Sequence, residues 1–154
     1  MNIIQDTREQ NVLWSWSKDS ILRQKLDEGD YSTPILEPYL TIERKSANDL
    51  YSTLTSGHQR FKREILRCAS KSKDMIIAIE CSEEVFYSGI WMPSKLKYSR
   101  GSVKRLTSLK KMISTMSTKY PHIHFRWLES RQHMREYIVQ QFISAEFELL
   151  KNKE

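Results

Sequence analysis

The stretch Asp74 to Cys81, DMIIAIEC, constrains the fold of this chain more than any other. It is an almost continuous apolar run, and a strand with no polar face has to be covered on both sides. That is the position of a central strand in a sheet with helices packed over it. The chain's 154 residues suffice for one domain, residues 1–154, with a single substantial core. Its 39% hydrophobic and 10% aromatic content excludes a disordered tail.

The remaining elements are read around that strand. Asn2 to Asp6 is a short strand, and Ser17 to Glu28 carries Ile21, Leu22 and Leu26 at helical spacing. Gly29 follows as the residue able to close such a helix in the left-handed conformation. Tyr39 to Lys45 alternates as a strand, and Ser46-Ala47-Asn48-Asp49 is a capping box that opens a helix to about Thr55. Helices are predicted over His58 to Ser72, Gly101 to Lys119 and Ser130 to Leu150, with a strand from His122 to Leu128. The order predicts an α/β domain with a mixed central sheet flanked by helices. The last helix has apolar residues beyond one stripe, among them Ile143, Phe147 and Leu150.

Chemistry concentrates between Gly29 and Asp49. On a strand, Glu43 and Lys45 point to one face, while Ile42 and Arg44 point to the other. If Gly29-Asp30 lies on the antiparallel partner, Asp30 sits beside Glu43, and two carboxylates and an ammonium surround one point. Divalent-metal hydrolysis of a phosphodiester requires such a grouping: oxygen ligands for a hard cation and a positive charge near the attacking water. The bland alternative is a solvated hairpin edge with interleaved charges.

The neighbours of that triplet decide between the two. Asp6-Thr7-Arg8-Glu9, Gly29-Asp30, Glu43-Arg44-Lys45 and Asp49 occur in that order, followed by Arg60-Phe61. The series resembles the composite pattern of the XPF-type structure-specific endonucleases, a branch of the PD-(D/E)xK nuclease superfamily. The resemblance implies a restriction-endonuclease-like core and hydrolysis of branched DNA such as flaps, forks or junctions. It implies Mg²⁺ as cofactor, with Mn²⁺ able to substitute, held by Asp30 and Glu43 with Asp6 at the rim. Lys45 would orient the attacking hydroxide or stabilise the phosphorane, with Arg44 and Asp49 in support. Arg8 would contact phosphate or carboxylate. The resemblance also implies a homodimer formed through the nuclease domain. Members of that family usually carry tandem helix-hairpin-helix motifs after the nuclease domain, and the stretch read here has none. A non-catalytic DNA-binding partner subunit is the alternative, against which the intact Glu43-Arg44-Lys45 argues.

A formal net charge of +6 suits a polyanionic partner. Arg60, Lys62 and Arg63 on one helix, and Lys95, Lys97 and Arg100 among aromatics, are the candidate DNA contacts. Cys68 and Cys81 lack metal-ligand spacing and read as thiols of a reducing compartment. His122 and His124 share a strand face, but no third ligand lies near them in the sequence. The charged N-terminus MNIIQDTREQ does not read as a signal peptide, and no apolar run reaches membrane-spanning length. The expectation is a soluble, intracellular protein.

Overall fold

The structure is a computed structural model that describes residues 1–94 and 102–154. Its centre is β5 (Asp74–Ile79), whose residues after Asp74 are all buried. Parallel neighbours flank it: β4 (Leu40–Lys45) on one side and β6 (Ile123–Trp127) on the other. β3 (Tyr31–Ser32) pairs antiparallel with both β4 and β1 (Ile3–Gln5). β2 (Ile21–Arg23) runs parallel to β1 at the edge, so the order is β2-β1-β3-β4-β5-β6. The mixed sheet flanked by helices is the expected class.

Alternate residues of β5 enter different halves of the core, which is why the strand has no polar face. Met75, Ile77 and Ile79 meet α1 (Ala47–Leu54), α2 (His58–Ser70), α3 (Glu83–Ser88) and α4 (Ser102–Lys119) through Leu50, Ile65, Phe86 and Leu106. Ile76 and Ala78 meet α5 (Arg131–Lys151) through Met134, Ile138 and Phe142. Ile42 belongs to the α5 side, so Glu43 and Lys45 project toward α1 and α2.

One predicted element is absent. Ser17 to Glu28 is not a helix but a turn, the three-residue strand β2 and an irregular return. The reason is a long-range partner: the Leu26 N–H donates to Asp6 Oδ2 at 2.7 Å, which holds this segment extended against β1. Leu26 is buried there without a helical stripe. Gly29 does adopt positive φ, +76°, but for a contact rather than a helix end. A Cβ on Gly29 would lie 2.0 Å from Thr41 Oγ1, so only glycine lets the chain into β3 pass this close to β4.

Ser46 caps α1 as expected, its Oγ accepting from the Asp49 N–H at 3.1 Å, without the reciprocal Asp49 bond of a full capping box among the described residues. His122 Nε2 lies 3.0 Å from the Ile65 carbonyl and His124 faces Asp74 at 3.9 Å, so both imidazoles are engaged with protein groups. Lys95, Lys97 and Arg100 lie outside the described residues. Among the described residues, no helix is long and apolar enough to cross a membrane.

Candidate active site

Strand register assembles the site. Gln5 lies opposite Tyr31 across β1 and β3, and Tyr31 lies opposite Ile42 across β3 and β4. Antiparallel pairing then carries Asp6 opposite Asp30, and the Asp6 N–H donates to the Asp30 carbonyl at 2.8 Å. The Asp30 N–H donates to the Ile42 carbonyl at 2.8 Å although Tyr31 is the register partner of Ile42, so two residues of β3 and its approach face one of β4 and the regular ladder ends there. Asp6, Asp30 and Glu43 line one depression with Glu64 of α2, a row of carboxylates at this end of the sheet.

The three carboxylates have different surroundings. Asp6 accepts from Arg8 Nε at 2.9 Å, Arg8 Nη2 at 3.0 Å, the Arg8 N–H at 2.8 Å and the Leu26 N–H at 2.7 Å. Burial pushes its pKa up, but these donors and the guanidinium charge win and hold it below the ordinary value. Asp30 accepts from the Arg44 N–H at 2.8 Å through Oδ2. Its pKa is raised well above normal by burial, then by Glu43 and Glu9. Glu43 is raised to about 7 by burial first, with Lys45 opposing and Glu64 adding to the rise. Lys45 Nζ stands 3.1 Å from Glu43 Oε1. Burial favours a neutral amine there, yet Glu43, Asp30 and Glu64 overcome it and keep the ammonium.

The donor set fits a hard divalent cation in part. Like charges in a buried row are the environment that a cation relieves, and among the described residues Asp30 and Glu43 each keep an oxygen with no protein donor. Asp6 does not fit as a direct ligand in this arrangement, because Arg8 and Leu26 engage both of its oxygens. Among the described residues, no three acidic, histidine or cysteine side chains close around one point tightly enough to enclose an ion. Two carboxylates completed by water and substrate phosphate suit Mg²⁺, which keeps several waters and seldom uses an all-protein cage.

Two connected depressions open on the row. One, of about 300 Å³, is lined by Asp6, Arg8, Asp30, Glu43, Arg60 and Glu64. The other, of about 340 Å³, contains Glu43, Lys45, Arg60 and Glu64 beside the α1–α2 junction at Ser56 and Gly57. Asp6, Arg8, Asp30, Glu43, Lys45 and Arg60 are thus brought together. Lys62 faces a separate groove, and Arg63 is exposed on α2.

Arg44 and Asp49 are not part of that grouping. The Arg44 side chain projects to the opposite face, pairing with Glu80 at 3.1 Å and Glu9 at 3.5 Å, and donating to the Asn11 carbonyl. Tyr31 Oη donates to the same Glu9 at 2.7 Å. Asp49 is exposed and lines a third depression with Arg8, Glu9, Arg44 and Glu80. Arg44 therefore ties the loop after β1 and the end of β5 to β4, while its backbone N–H fixes Asp30.

Sequence reasoning missed Glu64 and undervalued Glu9. Glu64 follows Arg60 by one helical turn, so the two share a face once Arg60 is placed at the site. The partners of Glu9 are 22 and 35 residues away, and nothing local marks them.

The geometry has counterparts among known proteins. The XPF protein from Aeropyrum pernix superposes with a TM-score of 0.67 at 19% identity, over 94% of this chain and 61% of that one. The same protein in complex with DNA gives 0.65 at 18% identity, over 94% and 64% respectively. This chain therefore spans under two thirds of the length of those structures, and at this identity they establish the fold. No curated protein sequence matches. The ERCC4 domain matches residues 6–140, from the first carboxylate of the row to the middle of α5. By that match, this chain belongs to the ERCC4 domain family.

Proposed function

We propose that this chain is a Mg²⁺-dependent endonuclease that cuts one strand of branched DNA, such as a flap, fork or junction. The carrying observation is the juxtaposition of Asp30 and Glu43 in one depression, with Lys45 Nζ 3.1 Å from Glu43. Nucleases of this family generally depend on a divalent metal. Asp30 and Glu43 are the residues to hold it, and the bound ion would supply a water of lowered pKa and polarise the scissile phosphate. Mn²⁺ should substitute.

The protein's own groups do the rest. Glu43 holds Lys45 in place, and the buried ammonium is fixed where negative charge grows on the phosphorane. Asp6 and Arg8 form the wall that keeps Asp30 in register. Arg8, 62% exposed at its side chain, and Arg60 offer guanidinium groups to flanking phosphates. Arg44 and Asp49 support the strand and helix ends behind the site. Branch points bend more readily than continuous duplex, which gives selectivity without base contacts.

Pairing of two chains through α5 is part of the proposal. Ile143, Phe147 and Leu150 are 50%, 64% and 50% exposed, beyond the stripe of Met134, Ile138 and Phe142 that the core uses. The direct test incubates the protein with end-labelled flap, fork, junction and linear duplex, with Mg²⁺ and with EDTA. Cleavage of the branched forms only, and only with Mg²⁺, is expected. Failure to cut any of them with Mg²⁺ or with Mn²⁺ in its place would leave the non-catalytic reading.

A further inference from the structure

α4 differs from the other long helices in charge. Between Ser102 and Lys119 it carries Lys104, Arg105, Lys110, Lys111 and Lys119 and not one Asp or Glu. A helix that merely presents a solvated face usually mixes signs. Lys110 is turned away, toward the Tyr87 ring at 5.5 Å. Lys104, Arg105 and Lys111 line depressions on the other side.

Those depressions adjoin the one beside Glu43 and Lys45 through shared lining residues. The Glu43–Lys45 depression reaches Ser56 at the α1–α2 junction. Ser56 also lines the next depression, of about 710 Å³, with Lys104 and Arg105. Ser108 and Met112 are shared between that one and a third, of about 380 Å³, bordered by His58, Lys62, Lys111 and Lys119. Every charged side chain lining the second and third is basic. The floor of the third is apolar, made by Met112, Met116 and the Tyr120 ring.

We infer that this track, from Ser56 along α4 to Tyr120, is a binding site for a single-stranded nucleic-acid arm leaving the scissile phosphate. Duplex presents phosphates outward with its bases stacked inside, so it would leave an apolar floor unused. A single strand offers both a polyanionic backbone for the lysine rim and bare base faces for Met112, Met116 and Tyr120. The inference rests on the nuclease reading for the identity of the scissile end. It adds the strand element of the branched substrate that α4 recognises, and with it a source of affinity within this chain.

The test measures binding without cleavage. Anisotropy of a fluorescein-labelled twelve-nucleotide oligothymidylate is followed in EDTA over a range of salt, for the full chain. Lys104→Glu with Lys111→Glu should weaken binding about tenfold or more. It should also flatten the salt dependence, since each lost phosphate contact on a single strand removes about 0.7 from the slope. Lys18→Glu with Lys153→Glu makes the same charge change away from α4 and should leave the slope as in the wild type. Tyr120→Leu should weaken oligothymidylate binding while leaving the salt slope intact, the signature of a stacking contact. All four lysines are exposed, so circular dichroism should show both double variants folded.

No wild-type binding of the oligonucleotide, an unchanged α4 double variant, or an equal loss in the Lys18/Lys153 control each overturns the inference. So does equal binding and equal loss with a blunt duplex of the same length. Cleavage by the wild type with Mg²⁺ is scored separately. An inactive protein whose binding still depends on α4 would refute the nuclease reading and leave the track standing.

Discussion

Asp30→Asn should make the metal-free protein more stable, although it removes a side chain at the centre of the site. The Arg44 N–H now donates to Asp30 Oδ2, and an asparagine carbonyl accepts the same bond. What disappears is a negative charge beside Glu43, whose own charge raises the Asp30 pKa. Two unit charges roughly 5 Å apart at an effective dielectric near 20 repel by about 3 kcal/mol. Loss of the attraction between Asp30 and Lys45 offsets part of this. A net gain of about 2 kcal/mol is expected, a rise in Tm of roughly 4–8 °C for a domain of this size.

The pH dependence follows from the sign of the shifts. Both carboxyls have folded pKa values above their unfolded ones, so the folded state binds more protons in between, and wild-type stability falls as pH rises through that window. The advantage of Asp30→Asn should be near zero at about pH 4 and grow as pH rises above that, until Asp30 is ionised in the folded wild type. Millimolar Mg²⁺ binds only the folded arrangement and should raise the wild-type Tm at about pH 8, with a much smaller rise in the variant. Melts of both proteins across pH, in EDTA and in Mg²⁺, carry the whole comparison. A variant much less stable than wild type without metal, with equal Mg²⁺ shifts in both, would refute the argument and reduce Asp30 to a hydrogen-bond acceptor for Arg44.

Three further outcomes are expected. Lys45→Ala should lower cleavage of a branched substrate by about a hundredfold or more while binding persists, as measured by gel shift in EDTA. Equal loss of both in a folded variant would count against its assignment. Phe147→Glu should move the protein toward monomer in light scattering, and a wild type that is already monomeric at micromolar concentration would remove the α5 interface. Glu28→Ala should destabilise by about 3 kcal/mol in denaturant melts, because it strips Lys73, 2% exposed, of a carboxylate 3.4 Å away. Glu28 also pairs with Lys71 at 2.6 Å, and because the Lys71 side chain is 46% exposed, moderate salt should reduce that part of the loss.

What could be read from the chain depended on how local its cause was. β5 was legible because burial on both faces erases polar residues from the strand itself. Asp30 beside Glu43 was legible because strand parity and one antiparallel turn are enough to place them. The stretch before Gly29 was misread because Ile21, Leu22 and Leu26 fall at helical spacing. The deciding bond comes from Asp6, twenty residues earlier. The same distance problem hid the work of Arg44. Its side of the strand was plain, but Glu9 and Glu80 come from opposite ends of the sheet's chain order. Glu64 needed Arg60 to be placed first, after which one helical turn suffices.

Arg44 sits between the two residues proposed for chemistry and has its own occupation. Its guanidinium joins Glu9, Asn11 and Glu80 behind the sheet, and its backbone fastens Asp30 in front. In the proposed mechanism Glu43 and Lys45 answer to the reaction, whereas Arg44 answers to folding. A descendant of this chain that ceased to cut would be free to drift at 43 and 45 at once, yet would still need arginine at 44 to keep its strand ends together. In such lineages the middle letter of the triplet should outlive its neighbours, a fossil of the architecture rather than of the activity.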